Sequence, residues 1–107
     1  MIVNILGTDY DLQYRHPNDD EMLNHCDGYC DKSSKLLVVT TKNTDFDDFE
    51  SYQKECTRHE IIHAYMFESG LSGNWEHKNF GHEETVVDWF AIQVPKIVKT
   101  FYECGVL

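Results

Sequence analysis

One arrangement of side chains in this sequence has an evident chemical use: His59-Glu60-Ile61-Ile62-His63. Histidines four residues apart lie about 40° from each other around a helix and one turn apart along it, so both imidazoles reach toward the same point. Two imidazoles so placed can hold a zinc ion at about 2.0–2.1 Å. Zinc lowers the pKa of a bound water toward ~7, and a glutamate beside the first histidine can take that water's proton as general base. The chemistry is metal-assisted hydrolysis, with His59 and His63 as metal ligands and Glu60 as the base. The two intervening residues are isoleucines, which suit a helix buried behind a metal site. A merely solvated face would carry polar residues there.

A catalytic zinc takes three protein ligands and keeps one position open. The third is expected from the next helix, in His82-Glu83-Glu84-Thr85-Val86-Val87-Asp88. Glu84 and Asp88 are one turn apart and share a face, so a Glu84 ligand with Asp88 orienting a ligand histidine is a sensible pair. Glu83 lies 100° away from Glu84, and it, His77 and His82 are the alternatives. Acidic residues in a first helical turn are also favoured by the helix dipole alone.

These residues need elements to hold them. Residues 2–6 read as a strand, either turning at Gly7-Thr8-Asp9 or running on through Tyr14. Residues 16–34 are polar and read as loop, with a short helix near Asp20–Leu23. Leu36–Thr41 is the clearest strand, with Leu36, Val38 and Thr40 on one face and Leu37, Val39 and Thr41 on the other. A helix is expected from Thr44 or Asp45, either of which can cap it, to Ser69, with Gly70 as its stop. Residues 70–81 read as loop, with Trp75 and Phe80 as anchors. A second helix is expected over 82–94, broken or kinked at Pro95, with Trp89 and Phe90 in the core. A further helical stretch, 96–104, ends at Gly105. The expected fold class is α+β: a small sheet packed on the HExxH helix, with a second helix bringing the third ligand, in one domain over 1–107.

The chain has 107 residues and a formal net charge of −10. That balance repels phosphate backbones and argues against a nucleic-acid partner. No apolar run reaches the roughly 20 residues a membrane span needs. The first residues have no basic start or small-residue cleavage site, so a cytoplasmic location is expected. Cys26, Cys30, Cys56 and Cys104 are expected to be reduced thiols. The C-x3-C spacing of Cys26 and Cys30 has no second pair to complete a zinc knuckle. Cys56 shares the helix face of the two histidines and reads as a small buried residue behind the site. The Asp19-Asp20-Glu21 run reads as a solvated face.

His59-Glu60-x-x-His63 followed by Glu84-x-x-x-Asp88 resembles the gluzincin arrangement. The stretches RHEIIHAYMFESGL and EETVVDWFAIQVPKI resemble the small zincin-like metallopeptidases of phages and other mobile elements, related to the ImmA/IrrE metallopeptidases. The resemblance spans roughly residues 36–100. It implies a zinc metallopeptidase with His59, His63 and Glu84 as ligands, Glu60 as general base and Asp88 in support. It also implies a peptide or protein substrate, which strand 36–41 would pair through its main chain, and the host cytoplasm as location if the chain is phage-encoded. The chain is far shorter than the larger gluzincins. No histidine of the metzincin type follows His63. The residue that stabilises the tetrahedral intermediate has no motif, leaving His77, His82, Tyr52, Tyr65 and Tyr10 as candidates. Two other functions compete with hydrolysis. One is a non-catalytic, zinc-stabilised binding protein that sequesters a host or regulatory protein, although it has no need of Glu60. The other is a metal-free domain stapled by two disulfides.

Overall fold

Apolar, β-branched residues at the amino end form β1 (Ile2–Ile5), which turns at once into β2 (Thr8–Arg15). The turn residues Leu6 and Gly7 have φ of 52° and 93°. Positive φ at both central positions is the hairpin geometry that follows the twist of the flanking strands. The turning alternative is therefore realised, at Leu6-Gly7, and the strand does not run on: residues through Tyr14 belong to a second strand that folds back on the first. This computed structural model describes residues 1–74 and 84–107, with the side chains of Asn74, Glu84, Val87, Asp88 and Ala91 outside the description. The expectations for Trp75, His77, Phe80, His82 and Glu83 lie outside the described residues.

Asp20 caps a short 3-10 helix at Glu21–Asn24, where a short helix was expected. The segment read as continuous loop holds a strand as well, β3 (Gly28–Asp31), which pairs antiparallel with β4 (Leu36–Thr40). Gly-Tyr-Cys-Asp has little β propensity, and partnering by β4 supplies what the local sequence lacks. The Asp31 carboxylate shapes the connecting turn by accepting from the Ser33 amide at 2.9 Å and the Ser34 hydroxyl at 2.9 Å. The sheet order is β1-β2-β4-β3, with β2 and β4 parallel. With two helices beside it, this mixed sheet makes the α+β fold that the sequence implies.

Helix α1 (Phe49–Glu68) starts four residues later than Asp45, capped by Asp48, whose side chain accepts from the Ser51 amide at 3.1 Å. Thr44 and Asp45 do not cap it. The Asn43 side chain instead bonds both the amide and the carbonyl of Phe46, holding this stretch in a turn that competes with helix. Leu71–Asn74, read as loop, forms a 3-10 turn. Helix α2 (Glu84–Glu103) runs through Pro95 without a break. A mid-helix proline costs about 3 kcal/mol, but Trp89 on one side of it and Ile97 and Phe101 on the other are all buried in the same core. Phe90, expected in that core, is 45% exposed. No helix among the described residues is long and apolar enough to cross a membrane.

The core joins Val3, Ile5, Tyr10, Leu12, Leu37 and Val39 of one sheet face to Ile61, Ala64 and Tyr65 of α1 and to the buried face of α2. Val38 is also buried, on the opposite face. Polar ties fix α1 between its neighbours. Gln53 donates to the Thr40 carbonyl at 2.9 Å, Tyr65 shares a 2.6 Å hydrogen bond with Thr100, and Arg58 donates to the Val106 carbonyl at 2.6 Å. At its far end the Glu68 carboxylate accepts from Lys35 at 2.6 Å, Tyr10 at 2.8 Å and Thr8 at 3.2 Å. All four cysteines are free.

The Glu68 contacts, Lys35 first and then Tyr10, hold its carboxyl below the ordinary glutamate range. A depressed folded-state pKa contributes stability that is complete above the unfolded value near ~4.3 and is lost as pH falls through the folded one. Glu68→Gln is expected to lower stability at pH 7 by about 1 kcal/mol. Urea melts of both proteins should converge as pH drops below about 4, whereas a gap that persists to pH 2 would rule this account out.

Candidate metal centre

The buried face of α1 carries Thr57, Ile61, Ala64 and Tyr65. Helical geometry turns His59 and His63 away from that face, and both are exposed. Their Nε2 atoms are 3.1 Å apart. Two nitrogens held about 2.05 Å from one ion at the tetrahedral angle are about 3.3 Å apart, so the pair already has the spacing of a shared ligand site. Donor atoms of His59, Glu60 and His63 all lie within 4.8 Å of one another. By donor type and spacing these residues fit zinc. Burial first, then the neighbouring His59, holds the His63 pKa below the ordinary histidine value, which favours the neutral imidazole that binds metal. Phe67, one turn on, lies nearly parallel to the His63 ring with centroids 6.4 Å apart.

Glu60 occupies the seam between α1 and β3. It is only 6% exposed and borders the same recess as His59 and His63. Burial raises its pKa, opposed by the nearby His59. Gly28 makes room for it: a Cβ there would stand 2.9 Å from the Val38 carbonyl oxygen and 3.1 Å from Glu60 Oε2. A glycine within a strand commonly marks such a close approach, but Asp27-Gly28-Tyr29 reads as a turn when the strand is not recognised.

Strand β4 lies between β2 and β3, so neither of its edges is open to a substrate, contrary to the role expected for 36–41. The edge strand beside the histidines is β3. Thr40 donates to the Asp27 carbonyl at 2.9 Å. The antiparallel alternation therefore turns the main chain of Asp27, Tyr29 and Asp31 toward β4, and that of Gly28 and Cys30 outward. A cleft of about 290 Å³ runs along this edge, lined by Gly28, Cys30, His59, Glu60, His63 and Phe67 among others.

Glu84 and Asp88 lie on the first turns of α2, and their side chains are outside the description. Of the tyrosines considered for the intermediate, Tyr10 is spent on Glu68 and Tyr65 on Thr100, both in the core. Tyr52 faces the open side, lines a cavity with His59 and Glu60, and donates a short hydrogen bond to Asp27. Cys56 lines the same cavity, half-buried. Cys30 lines the cleft and is pushed up to about 12, by burial first and then by Glu60 and Asp31, so it stays a thiol near neutral pH. No family model, curated protein or solved structure matches the chain.

Because the nearest atom to a Gly28 Cβ belongs to the backbone, Gly28→Ala cannot be absorbed by a side-chain rotation. It should cost about 1–3 kcal/mol, as overpacking does. Chemical denaturation at neutral pH checks this, and an unchanged midpoint would mean that β3 and α1 are not held so closely.

Proposed function

We propose that this chain is a zinc-dependent metallopeptidase: a minimal zincin-like domain of gluzincin type acting on peptides in the cytoplasm. His59, His63 and Glu84 are the metal ligands, Asp88 orients a ligand, and Glu60 is the general base. The observation that carries this reading is the pairing of a preset two-histidine site with a mostly buried carboxylate that lines the same cleft. A site that held metal for stability alone would need only the ligands, so a largely buried carboxylate beside them, with its pKa raised, favours hydrolysis over a purely structural or sequestering role.

Bound zinc would supply Lewis acidity toward the scissile carbonyl and a lowered pKa for the attacking water. The remaining work falls to the chain. Glu60, in the seam beside both histidines, accepts the proton of the attacking water and returns it to the leaving amine. Its apolar setting keeps it a stronger base than an exposed glutamate. The outward main-chain groups of Gly28 and Cys30 offer an extended peptide two residues of antiparallel pairing, which fixes it over the histidines. Tyr52 is the described side chain best placed to act on the substrate from the open side.

Metal analysis by mass spectrometry on untagged protein tests the reading. Wild type should hold about one zinc per chain, with most of it lost in Glu84→Ala and all of it kept in Glu60→Gln. Glu60→Gln should lose peptide hydrolysis by about 10²–10⁴-fold. Wild type that takes up no zinc even after refolding with the metal would end the enzyme reading.

A further inference from the structure

Two cavities flank the cleft at the histidines, and they differ in chemistry. On the His59 side, a cavity of about 350 Å³ is lined by Cys26, Asp27, Gly28, Tyr52, Glu55 and Cys56 together with His59 and Glu60. Among the described residues it holds two exposed carboxylates, Asp27, which accepts from Tyr52, and Glu55, and no lysine or arginine. On the His63 side, a cavity of about 510 Å³ is walled mainly by apolar groups, Met22, Tyr29, Cys30 and Phe67, with Asp31 and Lys32 at its rim. Lys32 Nζ sits 5.1 Å from the centre of the Phe67 ring, and the Asp31 carboxylate is occupied by Ser33 and Ser34. The first cavity shares Gly28, His59 and Glu60 with the central cleft, and the second shares Tyr29, Cys30 and Phe67, so the three form one groove along the edge of β3 that no described strand pairs.

We propose that this groove selects peptides carrying a bulky apolar side chain and, two residues along, a lysine or arginine, with the bond to be cut between them. The inference rests on the peptidase reading and names its substrate class. The register follows from sheet geometry. Residues directly opposite each other on paired strands project to the same face. Gly28 and Cys30 project toward α1, as the contact of Gly28 with Glu60 and the core packing of Cys30 require. A peptide residue opposite Cys30 therefore reaches the apolar cavity at Phe67, and one opposite Gly28 reaches the cavity at Tyr52 and Glu55. These two peptide residues are separated by one other, which projects to the far face, and they stand about 6.8 Å apart. Antiparallel pairing, the slightly more stable mode, runs the peptide from Cys30 toward Gly28 and puts the apolar residue on the amino side.

The chemistry of each wall matches its occupant. Phe67 and Met22 offer area to an apolar side chain, while Lys32, already over the Phe67 ring, would repel a basic one. The Tyr52 ring and Cys56 offer the aliphatic stem of a lysine or arginine a partly apolar wall, while Asp27 and Glu55 meet its charged head near solvent.

Binding and cleavage read the inference separately. Zinc-loaded Glu60→Gln protein is titrated with labelled, unstructured peptides of the pattern Phe-Ala-Lys, Phe-Ala-Glu, Ser-Ala-Lys and Lys-Ala-Phe in a common flank. Phe-Ala-Lys is expected to bind about tenfold or more tightly than each of the others, and its advantage over Phe-Ala-Glu should shrink as salt rises. Glu55→Lys should reverse the preference at the third position, and Phe67→Ala should erase it at the first. Wild type on the same set should cut Phe-Ala-Lys fastest, between phenylalanine and lysine. Equal binding of the four peptides, or tightest binding of Lys-Ala-Phe, would overturn the groove assignment. Selective binding with no cleavage by zinc-loaded wild type would leave the groove standing and remove the peptidase reading.

Discussion

Everything at the candidate site depends on how α1 sits on the sheet. Thr57, Ile61, Ala64 and Tyr65 fix the rotation of the helix, since each must be buried against β-strand or α2 residues. A full turn is 3.6 residues, so once those four point inward, His59 and His63 must point outward and Glu60 must fall at the boundary. The rotation is over-determined by polar ties at both ends: Gln53 on the Thr40 carbonyl, and Glu68 on Lys35, Tyr10 and Thr8. Rolling the helix by 40° to hydrate Glu60 would strain all of these contacts at once. Core packing some distance away thus sets the direction in which the histidine pair faces.

The same seating explains which carboxylates of this acidic chain are committed. Of its 19 acidic residues, Asp20, Asp31, Asp48 and Glu68 each accept several hydrogen bonds that shape a loop, a turn, a cap or a helix end. Those contacts favour the ionised form and hold all four pKa values down. Glu60 differs in direction and in cause: its pKa is raised, and burial is the reason. Folding alone does not account for a carboxylate placed in a seam with a glycine opposite to admit it.

The sequence was legible where one residue pattern meets one dominant force. The apolar run of β4 and a helix carrying His59, Glu60 and His63 follow from periodicity and hydrophobicity, and both stand in the structure. The errors arise where a long-range partner decides. β3 is a strand because β4 pairs with it, and its own four residues do not announce one. The exclusion of β4 from any substrate-pairing role is likewise a matter of sheet order, which no local pattern encodes. Pro95 and Phe90 were misjudged for related reasons. Burial of Trp89, Ile97 and Phe101 outweighs the lost hydrogen bond at the proline, and the same rotation of α2 leaves Phe90 facing outward. At α1 the Asn43 turn took residues whose types favour a cap.

The glycine at 28 connects these points. A strand this short, at a sheet edge and poor in β-branched residues, gains little from local preference, so its position is set by what it packs against. What it packs against is the Val38 carbonyl on one side and Glu60 on the other. Any side chain at 28 would push β3 outward, hydrate Glu60 and widen the cleft. An edge strand optimised for stability would carry a β-branched residue there. Glycine costs a strand roughly 0.5–1 kcal/mol relative to alanine, and admitting a desolvated carboxylate adds more. Two destabilising choices that meet at one contact, beside two histidines already at metal-ligand spacing, are hard to account for as a packing solution. They are what the proposed metallopeptidase site would require, with a base, two metal ligands and a strand edge brought close to one another.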